Sequence, residues 1–417
     1  MSSFIYKNYL LIIYNKLINY FCKIPNLKYL RSIIARKIRI VFIYRNLVKK
    51  ILRQIDNIQF PIKFDKQKYP IWAGIEITNI CNLNCIMCNT QLSKRSRGYM
   101  KPEVFKNVLN ELKTIGINRI AIHTLGEPFM YNNLDILFEL IKKYKFKVYL
   151  STNGQFPGKI KNLIYKYSNS IEFIRFSIDG AKSDTYEKIR RGATFDKLIQ
   201  SLEVVHKFNE SKIDFRIPIR IDSILSLTNL YEVLLFFTVF KKYCKPESIN
   251  FNIVSGLSPD NSYFREAFPF PNLIRKRIPC RDPFYAVHFT YHGEVTLCCE
   301  DFNGELIIGD LKKNSLIEIW NGKNSRFIRK QHLNPEELNI NACKNCYEPY
   351  SFISDITNKF IHYLYYYYHN ISEQQFGRIL LAMFKDMDKI MINKDKDRLK
   401  SMILKFFIKD KAKIIKK

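Results

Sequence analysis

The sequence has no run approaching the roughly 20 apolar residues needed to span a bilayer, which excludes a transmembrane helix from the reading. The one apolar stretch near the start, "YKNYLLIIYNKLINYF", leaves only eight residues between Lys7 and Lys16. No small-residue cleavage site follows it, so no secretory signal is expected and a cytoplasmic setting is. Acid is missing from the first 55 residues, which carry twelve Lys or Arg among Ile, Leu, Tyr and Phe. Residues 1–68 therefore read either as a basic helical extension packed on the main domain or as amphipathic helices on an anionic membrane surface. No internal repeat stands out. Low hydrophobicity is also missing: 47% of residues are hydrophobic, with 32 Phe and 26 Tyr, so a disordered chain is excluded.

A length of 417 residues is too much for one small core, and two or three domains are expected. The net charge of +30 implies attraction to something anionic, whether nucleic acid, lipid or a phosphorylated molecule. Ten cysteines stand at 22, 81, 85, 88, 244, 280, 298, 299, 343 and 346. Eight of them fall into two clusters with metal-type spacings, which points to a reducing compartment and to metal rather than disulfides. Cys22 and Cys244 stand apart and read as plain thiols.

From Pro70 short apolar strands alternate with amphipathic helices. Strands are predicted at 71–78, 118–123, 146–152, 171–178, 213–221 and 248–254, with helices near 102–114, 133–144, 157–167, 195–208 and 227–243. Such βα repeats build an α/β protein with a parallel sheet. One strand face is repeatedly polar: Glu76, Arg175, Arg216, Arg220, Asn250 and Asn252 oppose runs of Ile and Phe. A sheet covered by helices on both faces should be apolar on both. The polar face instead favours an incomplete barrel with helices outside and a polar lumen, over an open doubly wound sheet. After about 272 the pattern becomes turn-rich and cysteine-bearing, and 351–417 returns to helix, including the run "HYLYYYYH".

In "CNLNCIMCN", Cys81, Cys85 and Cys88 follow the first strand. Four protein ligands complete a tetrahedral zinc or a self-sufficient iron–sulfur cluster. Three thiolates can hold three irons of a [4Fe–4S] cluster and leave the fourth open. A zinc site completed by a distant residue, or burial alone, are the other readings. "EITNICNLNCIMC" resembles the CxxxCxΦC loop of radical S-adenosylmethionine (SAM) enzymes, with Met87 at Φ. That resemblance implies a partial (β/α)6, TIM-like barrel. It also implies reductive cleavage of SAM to a 5′-deoxyadenosyl radical that abstracts a substrate hydrogen. Further short matches fall at successive strand ends. "TLGEP" resembles the GGEP motif, with Gly126 and with Glu127 receiving the SAM amino group, although Leu125 replaces its first glycine. "STNG" resembles the ribose-contacting turn, with Ser151 and Asn153, and "FSIDG" supplies Ser177 and Asp179. "YEKIRRG" offers Arg190 or Arg191 for the SAM carboxylate, a role that suits the guanidinium fork.

Cys280, Gly293, Cys298 and the pair Cys343 and Cys346 resemble the C-terminal extension called SPASM in its shortened "twitch" form. With no cysteine after Cys346, that likeness implies one auxiliary [4Fe–4S] cluster on Cys280, Cys298, Cys343 and Cys346. Cys299 is the alternative to Cys298, and a structural zinc ribbon is the alternative to the cluster. The domains expected are a basic helical extension (1–68), the barrel (69–271), the cysteine-rich extension (272–350) and a basic helical end (351–417). A reductant such as flavodoxin or ferredoxin is implied as partner. The substrate read from the polar lumen is a carbohydrate, a glycan precursor or another small molecule, taken through dehydrogenation or epimerisation. Modification of a ribosomal peptide is the alternative, and peripheral contact with an anionic membrane is a second expectation. An RNA-binding or RNA-modifying protein is weighed as well, but no aromatic–basic RNA module is visible and nucleic acid is not favoured as a partner.

Overall fold

Six parallel strands follow the alternation read from the sequence. A computed structural model of the chain describes residues 68–253, 267, 280–334, 337–344, 346, 351–367 and 371–393. The expectations for residues 1–67, for Cys22 and for 394–417 lie outside these. The strands are β1 (Trp72–Ile75), β2 (Arg119–Ile122), β3 (Lys147–Thr152), β4 (Ile171–Ser177), β5 (Ile219–Leu225) and β6 (Ile249–Ile253). Between them run α1 (Pro102–Thr114), α2 (Leu134–Tyr144), α3 (Pro157–Tyr167), α4 (Ser183–Ile189), α5 (Phe195–Glu210) and α6 (Val233–Phe240). Helix α1 shows why these segments are helical. Pro102 occupies its first turn, where no backbone donor is needed, and Phe105, Val108, Leu109 and Leu112 recur on one buried face.

The sheet continues beyond β1. Strand β7 (Ala286–Phe289) pairs parallel with β1, and β8 (Glu294–Thr296) and β9 (Ile307–Asp310) follow antiparallel. The order is β6-β5-β4-β3-β2-β1-β7-β8-β9, and the sheet does not close. The barrel strands and the cysteine-bearing extension therefore share one hydrogen-bonded sheet. Helix α7 (Asp282–Tyr285) precedes β7, and α8 (Leu316–Trp320), α9 (Lys323–Leu333) and α10 (Asn341–Lys344) follow β9. The three short strands were not read from the sequence; at three or four residues each, they are too brief to show a period.

Register keeps the two faces of the sheet distinct. Ala73, Ile75, Ile120, Ile122, Val148, Leu150, Ile174, Phe176, Ile219, Ile221, Ile249 and Phe251 are buried on the helix side. The fifth strand departs from expectation, forming at Ile219–Leu225 rather than 213–221. Pro218 has no N–H to give a ladder, and the Asn209 side chain clasps both the N–H and the carbonyl of Ile217. Ile213 is consequently 96% exposed. Arg216 lies ahead of the strand and faces solvent, so it leaves the set of lumen residues.

Helices α11 (Ser351–Tyr367) and α12 (Glu373–Asn393) complete the described chain. From α11, Ser354, Asn358 and His362 hydrogen-bond the backbone of Ile253, Phe251 and Ile249, covering the open edge of β6. Asn358 serves both the N–H and the carbonyl of Phe251. Asn358→Leu is expected to leave both unpaired and to cost about 2 kcal/mol, readable as a lowered midpoint in chemical melts. An unchanged midpoint would show that water replaces the amide there. Among the described residues no helix is long and apolar enough to cross a membrane.

Candidate functional site

The loop after β1 carries Cys81, Cys85 and Cys88, all half-buried and outside any disulfide. Two backbone bonds, from Asn84 to Arg191 and from Ile86 to Ile189, zip this loop onto the end of α4. Leu83 N–H donates to Cys81 Sγ at 3.5 Å, and the Cys88 sulfur caps the turn Asn89–Leu92 by accepting from Thr90. Leu83 and Met87 are buried beneath the loop. Burial pushes the Cys81 thiol up to about 11 and the Cys85 thiol up to about 12. Among the described residues the three sulfurs do not form a set within 4.8 Å of one another.

Glu127 joins three of the motifs. Its carboxylate accepts from Thr152 Oγ1 at 2.7 Å, Asn153 N–H at 2.7 Å and Phe129 N–H at 3.2 Å. Its own N–H donates to the Ile80 carbonyl beside the cysteine loop. Burial pushes the carboxyl up to about 7, against the pull of those hydrogen bonds and of Arg190. Gly126 makes the approach possible. Its φ is +76°, and a Cβ there would stand 2.4 Å from the Thr78 carbonyl oxygen. Asn153 also reaches the loop, donating to Asn82 Oδ1 at 2.9 Å and approaching Cys81 Sγ at 3.9 Å. Thr152 and Asn82 were not singled out from the sequence, because single polar residues at strand ends carry no spacing signal.

Beyond β4, Asp179 accepts from Ile224 N–H at 2.6 Å and pairs with Arg190 at 2.7 Å. Both are buried, and the Nε of Arg190 has no hydrogen-bond partner. Arg190 is held strongly cationic by Asp179 beside it, and its charge bears on Cys81, Cys85 and Glu127. Arg191 is exposed, so of the two arginines Arg190 is the one brought to this rim. An unpartnered guanidinium N–H within electrostatic reach of Cys81, Cys85 and the Glu127 carboxylate suits an anionic or zwitterionic guest. The donor set thus fits a cluster together with an amino-acid-like molecule.

Below this rim the lumen face is layered. At the bottom Trp72 stacks on Tyr149, Tyr149 on Phe173, and Arg220 lies 3.8 Å over the Phe173 ring. Above them Arg175 donates to Ser151 Oγ at 2.7 Å and pairs with Asp222 at 3.2 Å, while Asn250 donates to Asp222 at 3.1 Å. Ser177 stands across from Asp222 in the ladder. His123, at the end of β2, is lowered well below the usual imidazole range by burial, then by Arg175 and His288. Glu76 is occupied elsewhere, in a two-pronged pair with Arg95.

The second cysteine group frames the β7–β8 hairpin, whose turn needs Gly293 at a φ of +87°. Cys280 precedes α7, Cys298 and Cys299 follow β8, and Cys343 and Cys346 sit at and after α10. The sulfurs of Cys298 and Cys299 share a hydrogen bond and both feel Asp282; Cys298 lies in addition within electrostatic reach of Cys346 and Cys280, and Cys299 within that of Glu300. That asymmetry supports Cys298 over Cys299 as the member grouped with Cys280 and Cys346. Cys244 stands alone, its thiol pushed up to about 12 by burial.

Residues 75–218 match the radical SAM superfamily, and residues 280–347 match SPASM, an iron–sulfur cluster-binding domain. The S-adenosyl-L-methionine-dependent 2-deoxy-scyllo-inosamine dehydrogenase of Niallia circulans is 24% identical over 279 residues, covering 65% of this chain and 90% of that relative. Streptococcus suis SuiB bound to its precursor peptide SuiA superposes with a TM-score of 0.50 at 16% identity, over 68% of this chain and 70% of SuiB. A histidine-tagged anSMEcpe with bound AdoMet gives a TM-score of 0.50 at 16% identity, over 80% of this chain and 98% of its own. At such identities the two structures speak to fold alone.

Proposed function

Because this chain belongs to the radical SAM superfamily and carries an iron–sulfur cluster-binding SPASM domain, we propose that it is a dehydrogenase acting on a hydroxylated small molecule of carbohydrate or cyclitol type. The observation that carries the reading is the polar layer of Arg175, Asp222, Ser151 and Asn250 beneath the cysteine rim. The Niallia circulans dehydrogenase, nearly all of whose length is matched, points the same way.

Cys81, Cys85 and Cys88 would hold the [4Fe–4S] cluster, and Cys280, Cys298, Cys343 and Cys346 the auxiliary cluster. When bound, the first cluster and SAM supply a 5′-deoxyadenosyl radical. In this reading Glu127 receives the amino group of SAM and Arg190 its carboxylate. Arg175, steadied by Ser151 and Asp222, orients the substrate oxygens. His123, kept neutral, suits accepting at a ring nitrogen the proton that a hydroxyl gives up as its carbon is oxidised; one hydrogen atom would leave that carbon for the radical and the remaining electron would pass to the auxiliary cluster.

The test is anaerobic incubation of the cluster-loaded protein with dithionite, SAM and aminocyclitols, including 2-deoxy-scyllo-inosamine. Formation of 5′-deoxyadenosine together with loss of two mass units from a cyclitol is expected. Turnover confined to added peptides would instead establish the peptide-modifying alternative.

A pH dependence follows from Glu127. A cationic amino group beside the carboxylate favours its ionised form, whereas without one burial holds the carboxyl up at about 7. SAM affinity should therefore be full above that value and fall as pH drops through it, by up to about tenfold per unit. Glu127→Gln should bind weakly with no such slope. Isothermal titration at pH 6 and pH 8 checks both, and equal slopes in the two proteins would remove Glu127 from the role.

A further inference from the structure

We propose that Asp282, His288 and Cys299 form a third metal site, adjoining the second cysteine group at Cys298, for a divalent cation of the zinc class. One ligand atom from each of the three lies within 4.8 Å of the other two. His288 is only 2% exposed, and neither of its ring nitrogens has a hydrogen-bond partner. Neither Asp282 nor Cys299 hydrogen-bonds to the ring, yet both stand near enough to share an ion with it. Bonds of about 2.0–2.3 Å set the ligands of a tetrahedral zinc roughly 3.3–3.8 Å apart, so closure needs only small side-chain movement. Carboxylate, imidazole and thiolate are together a donor set that zinc accepts. Three protein ligands leave a fourth position for water or for an oxygen of a bound molecule.

The local fold explains the convergence. Asp282 opens α7, directly ahead of β7, which carries His288 opposite Gly74 of β1. Gly74 lacks the Cβ that would stand 2.4 Å from His288 Nδ1, so the ring occupies the space over β1. Cys299 lies three residues beyond Thr296, the β8 residue that faces His288 across the hairpin. This site needs neither SAM nor substrate, so it stands independently of the proposed reaction.

Equilibrium dialysis of the cluster-loaded full chain against Zn²⁺, with zinc and iron counted on the same sample, tests it. One zinc per chain is expected beyond the iron. Asp282→Asn, His288→Gln and Cys299→Ser should each weaken zinc binding at least ~10-fold with iron unchanged, as loss of a ligand requires. Cys298→Ser should instead lose about four irons. No zinc on the unaltered chain, or zinc retained by Asp282→Asn and His288→Gln, overturns the proposal. Loss of about four irons from Cys299→Ser while Cys298→Ser keeps them also overturns it, by making Cys299 a cluster ligand.

Discussion

Cys85→Ala is expected to lower SAM-derived 5′-deoxyadenosine by a factor on the order of 10³ or more, about 4 kcal/mol at ~1.4 kcal/mol per decade. The middle sulfur of the loop has no substitute in the described fold. The nearest other thiols are its own partners Cys81 and Cys88, and its backbone neighbours are already committed to α4 through Asn84 and Ile86. Two thiolates leave a four-iron group short of ligands, so the count should fall from about eight irons per chain to about four. Iron analysis and 5′-deoxyadenosine on one anaerobic preparation check both halves. Cys244→Ala serves as the control, because that thiol is buried away from either group and should change neither number. A Cys85→Ala protein that still cleaves SAM would sink the assignment of the loop.

Arg190→Ala should have the largest effect on stability. The Asp179–Arg190 pair is 2.7 Å apart, with side chains 1% and 10% exposed. Removing one partner of such a pair costs about 3–5 kcal/mol, because the remaining charge stays buried without compensation. Asp179 can escape part of that cost by taking a proton, a tendency already present since burial pushes its carboxyl up. A carboxyl raised on folding contributes stability that is full at low pH and is lost as pH rises through its folded value. The deficit of Arg190→Ala should therefore be larger at pH 8 than at pH 5.5. Combining it with Asp179→Asn should recover much of the loss. A deficit below about 1 kcal/mol, equal at both pH values, would mean that the pair is solvated in solution.

The parts of this architecture that were legible in advance share one property: a local pattern long enough to repeat. Helices α1 and α3 fall where periodicity put them, and five of the six barrel strands form within their predicted ranges. The strand-end motifs were legible because turn glycines and capping carboxylates recur in a fixed chain order. Gly126, pressed on the Thr78 carbonyl, shows why that glycine belongs there. The fifth strand was misplaced because "IDFRIPIRI" alternates perfectly, and alternation says nothing about whether a neighbour is in reach to pair with it. The choice between Arg190 and Arg191 needed α4, a helix of seven residues that is too short to announce itself. The continuity of β7 with β1 was illegible for a similar reason. A parallel pairing more than 200 residues apart leaves no local mark.

The edge of β6 shows what a helix can do in place of a strand. Four residues of α-helix rise about 6.0 Å, and two residues of strand about 6.6 Å. Ser354, Asn358 and His362 therefore keep step with Ile253, Phe251 and Ile249 for three rungs before the mismatch of ~0.6 Å per rung accumulates. Such a vernier tolerates exchange of one rung better than any shift of phase. Inserting a single residue between Ser354 and Asn358 would turn the later rungs by about 100° and uncouple the helix from the strand it closes.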